Sequence, residues 1–315
     1  MVSNAQPMEA PAPVTAASSM YGFTIRTRQT LRFLRSGGGA EPLDIVATQE
    51  PRTQPSVEPL ADWALAGTEY QARATLYTVD HGYEFWTTDA GRYHVDPEKG
   101  RIEIPAGGDE ILREQRLWGI PAMLCYIHRG DFPLHAATVE LGSGAVLFAA
   151  PSRYGKTTLA LAFHRHGYRV LSEDLACVRP GTPCEVLPGP ALVRMRTDVY
   201  DGSPPPGTHV IVARSDRIYL GLDDNRKGSS APIAIKGIVF LREADDLRLE
   251  PAARSVAVAD LWHLNFRLAT IESRARSFQQ LSRLAGSVPT WNVYRPLRLS
   301  SLEATVALIA EHFDR

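Results

Sequence analysis

The chain has 315 residues with 34 basic and 35 acidic side chains, which give a formal net charge of −1. With 44% hydrophobic and 22% charged residues, its composition is that of a globular protein with one large core or two ordinary ones. The near-neutral balance argues against a protein that coats nucleic acid, and no apolar run reaches the ~20 residues that a membrane helix needs.

The N-terminus and the cysteines bear on the compartment. Residues 1–20 are rich in Ala, Pro and Ser, with Glu9 as the only charged side chain, which predicts a disordered tail and not a secretory signal. The cysteines lack the spacing of a disulfide framework or a zinc site. We therefore expect a cytoplasmic protein with no membrane partner.

Residues 21–105 have the pattern of short strands separated by turns, and residues 109–129 change to helical periodicity. The clearest strand patterns are Leu76–Val79, Tyr83–Thr87, Arg92–Val95 and Arg101–Ile104. This order predicts a small antiparallel β-rich N-terminal domain over 21–130 that ends in a helix. We identify no catalytic constellation in this region.

From residue 131 the pattern alternates between strands and helices. Strands over Leu134–Leu141 and Ala145–Ala149 precede a helix over Lys156–His166, and a buried strand follows over Tyr168–Ser172. Helices are also predicted over 255–268, 272–286 and 300–313. The sequence therefore predicts an α/β domain over 131–315, built on a mixed sheet with helices.

A predicted phosphate-binding loop lies between Ala145–Ala149 and the helix that follows it. Gly155-Lys156-Thr157 begins that helix, whose first turn has unpaired N–H groups that bind phosphate oxygens. Lys156 would hold the β- and γ-phosphates of ATP, and the Thr157 hydroxyl would hold Mg²⁺. The predicted nucleotide-binding residues are Ser152, Arg153, Tyr154, Gly155, Lys156, Thr157 and Thr158.

The loop departs from the usual motif at its first position, where Ala150 stands in place of glycine. Arg153 and Tyr154 are also bulky for a loop of this kind. The alternative interpretation is an ordinary strand–turn–helix junction without a ligand.

Three further side chains are candidates for the same site. Glu173 and Asp174 directly follow the strand Tyr168–Ser172, which is predicted to neighbour the loop strand in parallel, so both acids would face the same crevice. There they would hold Mg²⁺ or accept a proton, although strand-end acids also cap turns. His135 begins the strand that leads to the loop, and a lone histidine is more often structural than catalytic.

The spacing of these residues resembles the catalytic domain of HPr kinase/phosphorylase and its homologues. In that family a histidine lies fifteen residues before the first loop position, as His135 does before Ala150, and the last acid lies eighteen residues after the loop lysine, as Asp174 does after Lys156. The ending 288–297 resembles the C-terminal strand of kinase-like relatives, which include serine kinases that act on lasso-peptide precursors.

The resemblance implies a P-loop fold of the HPr kinase/PEP carboxykinase type and a possible homo-oligomer. It implies Asp174 as the base that takes a serine proton, His135 as a supporting group, Lys156 on phosphate and Thr157 on the metal. Glu173 replaces the first acid of the family's pair. The HPr-binding signature is absent, so HPr itself is not expected as the substrate.

Arg194 and Arg196 alternate on a strand-like run, so both would face the site and clamp an anionic substrate or the γ-phosphate; surface arginines are the alternative. The leading hypothesis is a Mg²⁺·ATP-dependent kinase that phosphorylates a hydroxyl, such as a serine of a peptide or protein. A kinase for a small hydroxyl metabolite and a non-catalytic nucleotide-binding regulator are the alternatives.

Overall fold

The computed structural model describes residues 17–49, 55–65, 72–223 and 230–314. These residues form a mixed α/β protein with two nine-stranded sheets, one three-stranded sheet and six α-helices. The prediction of a mixed α/β protein is confirmed. Within the part of the chain that is described, no helix is both long and apolar enough to cross a bilayer.

The first sheet contains every strand that precedes the first helix. The strands are β1 Ser18–Met20, β2 Phe23–Thr27, β3 Arg35–Ser36, β4 Glu41–Thr48, β5 Ala61–Leu65, β6 Ala72–Val79, β7 Gly82–Thr87, β8 Gly91–Asp96 and β9 Arg101–Pro105. Their order in the sheet is β3-β1-β2-β4-β9-β8-β7-β6-β5. The helices α1 Glu110–Leu117 and α2 Ile120–Arg129 pack against its apolar face.

Three expectations for this region need correction. The sheet is neither small nor wholly antiparallel, since β4 pairs in parallel with β2 and β9, and the β5–β8 meander is inserted between β4 and β9 in the sequence. The helical run over 109–129 is two helices, because Pro121 fits only the first turn of a helix and Gly119 is its N-cap. The predicted tail overlaps β1, and residues 1–16 lie outside the described residues.

The remaining strands and helices lie after residue 131. The strands are β10 Phe132–Leu134, β11 Ala136–Leu141, β12 Gly144–Ala149, β13 Arg169–Ser172, β14 Ala176–Arg179, β15 Glu185–Leu187, β16 Leu192–Arg196, β17 Thr208–Ala213, β18 Arg217–Leu222, β19 Ile233–Glu243, β20 Arg248–Pro251 and β21 Thr290–Arg295. The helices are α3 Lys156–Arg165, α4 Arg254–Leu264, α5 Ile271–Ser287 and α6 Leu302–Phe313.

The second sheet is the middle layer of a three-layer arrangement. Its strand order is β10-β14-β15-β19-β12-β11-β13, and β21 joins β19 with β20. Alternate residues of β12 serve the two faces: Leu147 packs in one core with α4 and α5, whereas Val146 and Phe148 pack in another with α3 and α6. The strands β16, β18 and β17 form the third sheet.

The two halves of the chain share a core and a buried arginine. Residues of the first sheet pack with Cys177 and Leu187 of the second half. Arg35, which is 3% exposed, donates to the carbonyls of Val170 and Leu171 in β13. The division at 130/131 into two domains remains a prediction, and the contacts across it tie the first sheet to the strand that carries the acids.

Candidate functional site

The candidate site lies where three strand ends meet at one edge of the second sheet. The strand β11 runs antiparallel to both β12 and β13, with Ala136 opposite Ala149 and Thr138 opposite Ser172. The start of β11 therefore lies beside the carboxyl ends of the other two strands. The prediction that β13 neighbours β12 is wrong, because β11 is inserted between them, but both strand ends reach the same edge as expected.

The loop after β12 has the backbone of an anion-binding turn. Gly155 adopts φ +77° and is the N-cap of α3, and no side chain caps the first turn. The N–H groups of that turn are thus available to a phosphate oxygen. Ala150 is compatible with this loop because it is not in the left-handed region and its methyl group packs in the apolar core with α3.

The other predicted loop residues differ in their surroundings. Ser152 and Arg153 are exposed at the outer turn, whereas Tyr154 and Thr158 are half-buried. Arg153 has φ +72°, a conformation that costs a non-glycine residue on the order of 1–2 kcal/mol. Of the two bulky residues, Arg153 is therefore accommodated on the solvent side of the loop, whereas Tyr154 packs against the core that contains α3.

Lys156 is 6% exposed and uses its ammonium group within the loop. Its Nζ donates to the carbonyls of Ala150 and Pro151 at 2.8 and 3.0 Å and lies 2.9 Å from Nε2 of His135. Burial lowers the pKa of Lys156, and the charges of Asp174 and Glu173 partly offset that effect. The loop carbonyls thus hold the lysine at the strand edge.

His135 connects Lys156 to Asp174. Because an ammonium group can only donate, Nε2 accepts, which leaves the ring proton on Nδ1, 3.2 Å from Asp174 Oδ1. Burial lowers the pKa of His135. The charge of Asp174 raises this pKa, and the charge of Lys156 lowers it further. A neutral histidine in this tautomer fits both neighbours.

The two acids are held from opposite sides by Thr157 and Arg194. The Thr157 hydroxyl donates to Glu173 Oε2 at 2.7 Å. Arg194 donates through Nε to Glu173 Oε1 at 2.6 Å and through Nη2 to Asp174 Oδ2 at 2.8 Å. The structure therefore brings together His135, Lys156, Thr157, Glu173, Asp174 and Arg194.

The charges around Asp174 determine its protonation. Burial raises the pKa of Asp174, but Arg194, His135 and Lys156 outweigh burial, and the net pKa is lowered from its usual value. Conversely, burial lowers the pKa of Arg194 and the two carboxylates more than restore it. Asp174 is therefore an ionised, half-buried carboxylate at neutral pH.

Arg196 is not part of this cluster. It lies on the same strand as Arg194, as the alternation predicted, but its Nε donates to Asp198 Oδ1 at 2.9 Å and the pair is exposed. Exposed pairs of this kind contribute little to stability.

Two positioning features were not assigned from the sequence. Arg295 is 3% exposed, and its Nη2 donates to the Tyr154 carbonyl at 2.9 Å while its Nε is buried without a partner among the described residues. Burial lowers the pKa of Arg295. On the other side, the Leu264 carbonyl accepts from the N–H of His135 at 2.7 Å. Neither contact has a local sequence signal, because both join segments more than 125 residues apart.

Gly155→Ala should destabilise the protein more than Gly167→Ala. Both glycines have positive φ, at +77° and +83°, but a Cβ at Gly155 would lie 2.6 Å from Arg295 Nη2, whereas a Cβ at Gly167 meets nothing within 4 Å. We expect about 1–2 kcal/mol for Gly167→Ala and about 1–3 kcal/mol more for Gly155→Ala, measured by urea unfolding. Equal losses would exclude the clash, and Arg295→Lys in the Gly155→Ala background should recover part of the difference.

The oxygen-bearing side chains of this site are of the kind that Mg²⁺ binds. The donors near the loop are the oxygens of Thr157, Glu173 and Asp174, which suit Mg²⁺, a cation that binds one or two carboxylates and completes its shell with phosphate and water. No group of three or more His, Cys, Asp or Glu side chains that could hold a metal occurs among the described residues. The bulk of a Mg²⁺ shell would therefore come from substrate and water.

No protein-family model matches the chain, and no curated protein matches it. Among solved structures, the chain is similar to the HPr(Ser) kinase/phosphatase from Coxiella burnetii, with 10% sequence identity and a TM-score of 0.30 over 57% of this chain and 95% of that chain. This likeness is too distant to support a function. The functional interpretation depends on the residues of the site.

Proposed function

We propose that the protein is a Mg²⁺·ATP-dependent kinase that transfers the γ-phosphoryl group to a hydroxyl, with a serine of a peptide or protein as the acceptor. The observation that carries this proposal is the continuous chain Lys156–His135–Asp174, beside a helix N-terminus with no side-chain cap. An ammonium group and an ionised carboxylate thus lie on the two sides of one histidine, which supports the proposal.

In this proposal the N–H groups of α3 and Lys156 bind the phosphates of ATP. Thr157 and Glu173 would hold Mg²⁺, which would supply neutralising charge for the phosphate oxygens. The acceptor oxygen forms a bond to the γ-phosphorus, the bond from that phosphorus to the β,γ-bridging oxygen breaks, and ADP leaves. Asp174 accepts the hydroxyl proton, while His135 orients Asp174 and Lys156.

The lowered pKa of Asp174 is compatible with this role. A weak base suffices when the transition state is loose, because little charge develops on the attacking oxygen before the leaving group departs. Positioning and charge neutralisation then contribute most of the rate enhancement.

One observation favours a second candidate, a nucleotide-binding regulator without transfer activity. Arg194 pairs with both Glu173 and Asp174, so one of their two negative charges is already neutralised by the protein without a metal ion. A kinase that acts on a small hydroxyl metabolite would use the same residues as the peptide kinase and differ only in its acceptor.

Incubation with [γ-³²P]ATP, Mg²⁺ and a panel of serine-containing peptides tests the proposal. We expect label on a peptide, loss of that label with EDTA, and nucleotide binding by calorimetry that weakens when Mg²⁺ is removed. Nucleotide binding without label on any peptide or small hydroxyl compound would support the regulator. Absence of nucleotide binding would contradict both candidates.

A further inference from the structure

The α4–α5 hairpin carries a group of side chains that we call the hairpin patch, in which Trp262 and Arg267 are half-buried and Ile271, Arg274 and Phe278 are exposed. Ile271 and Phe278 are 82% and 55% exposed. The ring of Trp262 meets the edge of Phe278 at 6.3 Å between centroids, and the guanidinium of Arg267 lies 3.7 Å from a Trp262 ring centroid. The five side chains thus form one aromatic and basic surface.

The three members of the patch on α5 are exposed and are not part of the buried core. Ile271, Arg274 and Phe278 are spaced by three and four residues and lie along one side of α5. The core uses other residues of the helix, among them Leu281 and Leu284. Two large apolar side chains exposed on the same side of one helix, as Ile271 and Phe278 are, are typical of an interaction site.

The arginines of the patch have no acidic partner within the described residues. Arg267 donates to the carbonyls of Trp262 and Asn265 at 2.8 and 3.1 Å. The segment 254–287 contains five arginines but only two acidic residues, Asp260 and Glu272, and Asp260 pairs with Arg242 outside the segment. The patch therefore has positive charge that is not neutralised, and arginine beside aromatic rings is the composition of interface hot spots.

The loop that follows α4 is connected to the candidate active site through two hydrogen bonds, one between backbone groups and one from a side-chain amide. The Leu264 carbonyl accepts from the His135 N–H at 2.7 Å, and Asn265 Nδ2 donates to the Pro133 carbonyl at 2.7 Å. The loop that carries Arg267 thus begins against His135, which lies between β10 and β11. A chain bound to the patch would hold neighbouring residues at a high effective concentration near the site.

We propose that the hairpin patch docks an acidic segment with apolar side chains in the phosphoryl acceptor, an inference that rests on the kinase function proposed above. Opposite charge matches Arg267 and Arg274, and apolar side chains match Ile271 and Phe278. A second copy of this chain is disfavoured, because a two-fold interface centred on the patch would place the same arginines against each other. Phosphate-backbone binding needs more cations than the patch offers.

Fluorescence anisotropy with a pair of synthetic peptides tests the docking surface. The first peptide alternates glutamate with leucine and serine over about twelve residues, and the second replaces each glutamate by lysine. We expect the full chain to bind the acidic peptide and not the lysine peptide. The double variant Arg267→Glu/Arg274→Glu should weaken the affinity for the acidic peptide about tenfold or more. Arg283→Glu is the matched control, because Arg283 is exposed on α5 and lies nine residues after Arg274, on the opposite side of the helix.

The outcomes separate the docking surface from the catalytic proposal. If the acidic peptide binds without nucleotide and also binds to the Asp174→Asn variant, the docking proposal is supported even when no phosphoryl transfer is found. If the double charge reversal leaves phosphoryl transfer unchanged, the docking proposal is overturned but the kinase proposal is not. Four results would overturn the proposal. Two come from the peptides: both peptides bind equally well, or Arg283→Glu weakens binding of the acidic peptide as much as the double charge reversal does. The other two are preferential binding to phosphatidylserine vesicles, and a dimer that Phe278→Ala abolishes in a protein that binds no peptide.

Discussion

Asp174→Asn should bind Mg²⁺·ATP and lose phosphoryl transfer by about 10²–10⁴-fold, the range that a positioned general base contributes. The substitution keeps the shape of the side chain and its hydrogen bond from Arg194 but removes the oxygen charge that would take the acceptor proton. Single-turnover transfer from labelled ATP gives the rate, and calorimetry gives the affinity for the nucleotide. Transfer at the wild-type rate would show that Asp174 is not the base.

Two further variants test whether the loss of transfer is specific to Asp174 or follows from the removal of any ion-paired carboxylate. Glu173→Gln alters the acid that accepts from Thr157, so it should weaken nucleotide binding in the presence of Mg²⁺ more than it slows transfer from the bound state. Asp198→Asn breaks the exposed pair with Arg196 and should change neither quantity. A general loss in all three variants would indicate damage to the fold and contradict the assignment.

The loop and the acids could be predicted because their signals are local. Three features occur within thirty residues: an apolar strand, a loop that leads into Gly155 and Lys156, and a second strand that is followed by Glu173 and Asp174. Parallel strands connected by one helix put their carboxyl ends at the same edge of a sheet, whichever strand lies between them. For this reason the wrong strand order left the predicted convergence intact.

The partners of those residues could not be predicted because they come from distant segments. The alternation of Arg194 and Arg196 indicated one strand face, but only the crossing of β16 near α3 decides that Arg194 reaches the acids and Arg196 does not. Arg35 and Arg295 are nearly buried, although a single arginine in a short strand gives no sign of burial in the sequence. The residues of the candidate site could thus be identified from local sequence patterns, whereas the residues that hold them in place are set by tertiary contacts.

Lys156→Met should weaken ATP binding by about 10–100-fold while changing the free energy of unfolding little. Methionine matches the unbranched stem of lysine but lacks its charged terminal donor, and a hydrogen bond to a charged group contributes about 1.5–3 kcal/mol. Without nucleotide, the loss of hydrogen bonds to the Ala150 and Pro151 carbonyls is offset because a charge is no longer buried at the cost of its hydration.

Lys236→Met is the matched control, since Lys236 also donates to a carbonyl, that of Phe313 at 2.9 Å, but lies outside the loop. Calorimetry and urea unfolding measure the two quantities separately, and unchanged ATP affinity in Lys156→Met would contradict the phosphate-binding loop itself.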